Sequence, residues 1–119
     1  MAEVVPTSIL TSIKKLFGPG EDDTTFDIDI IIHINTALFN LNQIGVGPSD
    51  GFFITDKSQT WSDFIGTNRK DIEAVKTYVY LKVKLVFDPP QSGVLVDAIK
   101  QQISELEWRL NNQVGKEVI

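Results

Sequence analysis

A chain of 119 residues is the size of one domain, and a content of 42% hydrophobic and 23% charged residues describes a globular fold rather than a disordered one. The absence of cysteine excludes disulfides, thiolate metal sites and a cysteine nucleophile. A formal net charge of −5 argues against a protein that grips nucleic acid by neutralising phosphates, and no apolar run approaches the roughly 20 residues of a membrane span.

Met1 to Pro6 reads as a loose arm, and MAEVVPTS lacks the charged and apolar regions of a secretory signal. Thr7 or Ser8 can cap a first helix whose stripe is Ile9, Leu10, Ile13, Leu16 and Phe17. Gly18-Pro19-Gly20 stops it, and Glu21 to Thr25 is an acidic loop. A second helix starts near Asp27. Ile30, Ile34, Ala37, Leu38, Leu41 and Ile44 recur at steps of three and four, and Gly45 ends the helix in the C′ position.

Val46 to Ser58 carries turn signals at Gly-Pro and Asp-Gly, with Phe52 to Thr55 as a short extended piece or a small hairpin arm. Thr60 and Asp63 have capping-box spacing, with Asp in place of Glu. They predict one helical turn that buries Trp61, Phe64 and Ile65.

YVYLKVKLVFDPP, from Tyr78 to Pro90, supports two structures. Its apolar residues alternate like those of a half-buried strand. Yet Ile72, Val75, Val79, Val83 and Val86 also follow a helical period, within a sector of about 80°. That spacing spans the whole segment, so a helix is predicted from Asn68 to Phe87, ended by Asp88-Pro89-Pro90. A last helix is expected from Ser92 to Asn112 on the stripe Leu95, Ile99, Ile103, Leu106 and Leu110, with Gln113 to Ile119 a flexible tail. The fold class is therefore all-α: one domain over residues 1–119, a small bundle of about four helices, with a loop or short hairpin inserted between the second and third long helices.

Three helices carry apolar residues away from their main stripe. Ala74, Tyr78, Leu81 and Leu85 lie opposite the Val stripe of the third long helix, which makes it either central in the fold or an interface. Ile28, Ile32 and Phe39 lie opposite the Ile30 stripe, and Trp108 points away from the Leu95 stripe. Aliphatic and aromatic residues left outside a small core mark either ordinary surface or a subunit contact.

Reactive chemistry finds no support. His33 is the only histidine, flanks an apolar stripe, and has no second histidine or cysteine to join it around a metal. Glu21, Asp22 and Asp23 lack the spacing of a calcium loop. GVGPSDG is a turn rather than a phosphate loop, since no GK[ST] or GxGxxG follows a strand. The Glu105-Arg109 pair is a solvated helix face. No catalytic residue, cofactor or metal is expected.

The series LNQIGVGP, TWSDFIG, VKTYVYLKVKLVFDPP and ISELEWRLN resembles the small head–tail connector (adaptor) proteins of long-tailed phages and prophages of Gram-positive bacteria, from about Ser8 to Asn112. The resemblance implies a helical, non-enzymatic subunit made in the bacterial host cytoplasm and placed in the virion at the head–tail junction. It implies a ring of about twelve copies under the portal protein, possible monomers in isolation, a DNA channel without sequence-specific contacts, no membrane, and a docking surface for the next neck or tail protein. Under it, Ile32, Phe39, Tyr78, Leu81, Leu85 and Trp108 are expected at ring contacts, and Phe52, Phe53 and Trp61 at partner docking. The segment Gly45 to Gly66 departs from the leanest family pattern of helices joined by short loops. Two alternatives stay open: a tail-completion protein, expected to be richer in strands, and a small helical regulatory binding module, which would need a basic helix face.

Overall fold

The computed structural model describes residues 8–17, 24–66 and 72–118, with 113–118 described by backbone alone. Among the described residues there are five helices: α1 (Ile9–Leu16), α2 (Asp27–Gln43), α3 (Trp61–Ile65), α4 (Ile72–Phe87) and α5 (Gly93–Val118). Among the described residues there is no strand, only an isolated antiparallel bridge between Ser8 and Thr60.

Local chemistry sets the helix ends. Ser8 caps α1, its hydroxyl accepting from the Thr11 N–H at 3.1 Å. Asp27 and Asp29 occupy the first turn of α2, where the helix dipole favours carboxylates. Asp27 also meets the buried ammonium of Lys14 at 2.8 Å, an ion pair that ties α1 to α2. That contact lacks hydrogen-bond geometry, so the buried Asp27 Oδ1 is matched by charge alone.

Beyond α2, the Gly45 N–H donates to the Asn42 carbonyl and the Val46 N–H to the Leu41 carbonyl. Those two bonds define a Schellman motif, and the positive φ of Gly45, 94°, completes it. Val46 and Leu41, at the two positions whose side chains often accompany this motif, are both fully buried in the core. The predicted helix start at Asn68 lies outside the described residues, as do the acidic residues Glu21 to Asp23 and the Gly18-Pro19-Gly20 breaker.

The ambiguous stretch is helix from Tyr78 to Phe87, and the helix ends at Asp88-Pro89-Pro90. α4 is the shared partner of α1, α2 and α5. Val75, Val79 and Val83 are buried on one side, Tyr78 and Leu81 on the other. A helix apolar nearly all round is thus accounted for by its central place. The rings of Phe26 and Phe87 lie 5.7 Å apart, and Asn111 donates to the Ile44 carbonyl at 3.1 Å. The start of α2 therefore sits beside the end of α4, and the C-terminal ends of α2 and α5 are neighbours. The two run parallel, with α4 antiparallel to both.

Two expectations change. The residues after Asn112 do not trail as a loose tail but continue α5 to Val118. No proline interrupts them, and an interior glycine such as Gly115 costs only about 1 kcal/mol relative to alanine. The insertion is a loop and not a hairpin. Phe52 to Thr55 pairs with no strand among the described residues, and its backbone partner is a side chain: Asn35 accepts from the Ile54 N–H at 2.7 Å and donates to the Ile54 carbonyl at 3.0 Å. One asparagine on α2 thereby takes the place of a neighbouring strand.

Candidate assembly surfaces

The loop that follows α2 is held at several points. Asn42 donates to the Pro48 carbonyl at 2.8 Å, and the Gly51 N–H closes the turn onto the same oxygen at 2.9 Å. Gln59 accepts from the N–H groups of Thr55 and Asp56. The Asp56 carboxylate accepts from the hydroxyl and backbone N–H of Ser58, which holds its acid below the usual range. The capping box is complete: Thr60 and Asp63 each accept from the other's backbone N–H. It fixes α3 so that Trp61 and Phe64 enter the core. The Trp61 indole donates to the Ser12 hydroxyl at 2.8 Å.

These contacts shape one surface of the molecule. Asn35 and Asn42 pin the loop beside α2, and a cleft of about 260 Å³ opens between Phe39 and Phe53. Phe39 is 60% exposed and Phe53 67%. Phe52 turns the other way, half-buried, with its ring 5.3 Å from that of Phe64. Ile28 and Ile32 continue the apolar surface along α2, and at about 100° per residue they lie within about 40° of Phe39. This face is opposite the Ile30 stripe that packs on α4.

A second surface lies on α5. Val94 is 78% exposed and Trp108 67%, and they too fall within about 40° of one another. Beside Trp108, Glu105 accepts from Arg109 at 3.0 Å, a solvated pair as expected. At the buried side of α5, the Tyr78 hydroxyl donates to Glu107 at 2.6 Å. Burial of the ring, then the Glu107 carboxylate, pushes the phenol well above its ordinary range.

The expected contact residues therefore divide. Ile32, Phe39, Phe53 and Trp108 are exposed, whereas Leu85 and Phe52 are half-buried against the core. Tyr78, Leu81 and Trp61 are buried inside the subunit, where the fold of a single chain presents little surface for the contacts expected of them. Tyr78 and Leu81 face the neighbours of the central helix, and Trp61 is carried inward by its capping box. Leu16, Val86 and Leu95 were expected in core stripes yet are exposed, because each sits near a helix end where the neighbouring helix gives less cover. Val94 carried no signal in the sequence, being one apolar residue just outside the Leu95 stripe.

His33 is half-buried on α2. Among the described residues no cluster of histidine and carboxylates could hold a metal, and no helix is long and apolar enough to cross a membrane. The fold and its surfaces define a small helical subunit that leaves an apolar side of α2, and single apolar residues of α5, uncovered. The family model described as phage connector protein matches residues 9–117, and the chain belongs to that family. It is a structural family of the phage head–tail junction. No curated protein and no solved structure matches the chain.

Proposed function

We propose that the chain is a head–tail connector subunit that assembles into a ring beneath the portal, lines the DNA path and docks the next neck or tail protein. The connector-family match over residues 9–117 carries this reading. The apolar outer side of α2, where Ile28, Ile32 and Phe39 are exposed together, supports it, since apolar residues grouped outside the core mark interaction surfaces. Ile32, Phe39 and Trp108 belong to contacts between copies, and Phe53 to the rim of that contact or to docking. The net charge of −5 suits a channel wall along which DNA slides. The subunit acts as a structural part without catalysis, in the virion.

Multi-angle light scattering over a range of concentrations, with and without the cognate portal ring, tests the reading. A discrete large oligomer, formed alone or recruited by the portal, is the expected result. A chain that stays monomeric and ignores the portal would sink it.

A further inference from the structure

We infer that two free copies of the chain pair about a two-fold axis, the outer face of α2 on one packing antiparallel on the same face of the other. Such a contact uses one patch on both copies, so it closes at two and does not propagate. It occupies Ile32 and Phe39, so under the ring reading above the pair is a holding form that opens before a ring is built.

The composition of the face selects the occupant. The exposed residues of α2 are Ile28, Asp29, Ile32, Thr36, Phe39 and Gln43, and Asp29 is the only charged one. At about 100° per residue, Asp29 lies about 80° to one side of the centre of Ile28, Ile32 and Phe39. A patch whose middle is apolar and free of charge has the make-up of an interface core. Its occupant is uncharged too, because a charge buried there would have no partner. Among its described helices a second copy offers one such surface. The exposed side of α5 carries Asp97, Lys100, Glu105 and Arg109, and α1, α3 and α4 each expose no more than two residues. Only α2 itself matches in length and in lack of charge.

Shape selects the direction. Towards the start of α2, Ile28 projects from the face, 76% exposed; towards its end, the cleft of about 260 Å³ opens between Phe39 and Phe53. Projection and cleft are about 16 Å apart along the helix axis. A two-fold axis level with the step from His33 to Ile34 sets Ile28 of each copy over the cleft of the other, so both ends fit at once. Parallel pairing would set cleft against cleft and Ile28 against Ile28. The acids stay apart as well. Asp50 lies on the loop edge of the face with Asn35 and Asn42, and Asp29 on the opposite edge. A two-fold antiparallel pair keeps each edge on its own side, so Asp29 comes near Thr36 and not near Asp50.

Ile28, Ile32, Phe39 and Phe53 are between 54% and 76% exposed. At about 200 Å² for a large side chain, the pair covers on the order of 1,000 Å², the lower limit of a specific interface and the size of a reversible one.

Light scattering on the chain without portal is expected to show the mass rising with concentration from one copy to two and no further. Ile32→Asp puts a charge at the middle of the face and should hold the mass at one copy, with helicity by circular dichroism unchanged; Phe39→Asp serves if that variant loses helicity. Trp108→Ala should still pair. A cross-link reads the symmetry, since the chain has no cysteine of its own. The two copies of Ile32 lie about 5 Å apart along the axis and the two copies of Phe39 about 16 Å. A short bismaleimide should therefore couple Ile32→Cys to itself as a covalent dimer, and should not couple Phe39→Cys or Trp108→Cys to itself. A chain that stays at one copy at every concentration or goes straight to a large ring, an Ile32→Asp chain that still pairs, or self-coupling at Phe39→Cys without any at Ile32→Cys would overturn the pairing. Monomers that a portal ring recruits would overturn it and leave the ring reading standing. A pair that a portal ring neither opens nor recruits would uphold it and remove the ring reading.

Discussion

The Gly45 to Gly66 segment and helix α5 make an instructive contrast. The segment is irregular apart from one short helix, yet it is fixed by Asn35, Asn42, Gln59 and a capping box, and it buries Val46, Ile54, Trp61 and Phe64. α5 is regular over its whole length, yet it packs on α4 along one side and leaves Val94 and Trp108 in solvent. Regular secondary structure and burial are separate properties here. The irregular part behaves as core, and the regular part offers surface.

If that is right, the largest losses of stability come from the loop. Gly47 has φ +93°, and a Cβ there would lie 2.4 Å from Phe64 Cε1. Phe64 is buried, with the Phe52 ring 5.3 Å from its own. The left-handed backbone costs a non-glycine residue about 1–2 kcal/mol, and overpacking adds about 1–3. Gly47→Ala should therefore cost about 3 kcal/mol in urea unfolding, and a loss under about 1 kcal/mol would mean that the loop is not part of the core.

Next comes the asparagine that stands in for a strand. Asn35→Ala leaves the N–H and carbonyl of the buried Ile54 without partners, at a cost of about 1–3 kcal/mol. Amide exchange at Ile54 should accelerate with it. Unchanged exchange would show that burial, and not Asn35, holds the segment.

Much of this contrast was legible in the sequence, for identifiable reasons. The Asp27 start, the Gly45 stop and the Thr60–Asp63 box are local signals, each decided within a few residues of chain, and each is found in place. The helical reading of YVYLKVKLVFDPP depended on periodicity over the whole segment, which local β-branched residues did not override. What could not be read was long-range. Nothing near Asn35 in sequence announces Ile54, nineteen residues away. Tyr78 and Leu81 carry the same apolar signal whether the covering helix belongs to the same chain or to a neighbour. The exposure of Leu95 depends on how much cover α4 gives the first turns of α5, a matter of packing rather than of pattern.

Tyr78 joins the two regions, because its hydroxyl reaches from the central helix to Glu107 on α5. Tyr78→Phe removes one hydrogen bond without changing the ring, and should cost about 1 kcal/mol. The folded phenol has its pKa raised above the ordinary value, chiefly by burial and then by Glu107. The unfolded chain therefore loses that proton first as pH rises. Stability from this group is complete below about pH 10 and declines above it. Wild type should lose stability above that pH more steeply than Tyr78→Phe. Parallel curves would mean that Tyr78 titrates alike in both states.

The smallest expected effect is the most discriminating for α5. Trp108 is 67% exposed and its indole has no hydrogen-bond partner among the described residues, so Trp108→Ala should shift monomer stability by less than about 0.5 kcal/mol. A surface tryptophan that does nothing for its own fold is an unusual thing to leave in solvent, because it carries one of the largest apolar areas a side chain can offer. If α5 presents it to a neighbouring copy, the same substitution should weaken ring formation in light scattering while leaving the melting curve in place. If the melting curve moves and assembly does not, Trp108 belongs to the fold, and the division between a core-like loop and a surface helix is drawn in the wrong place.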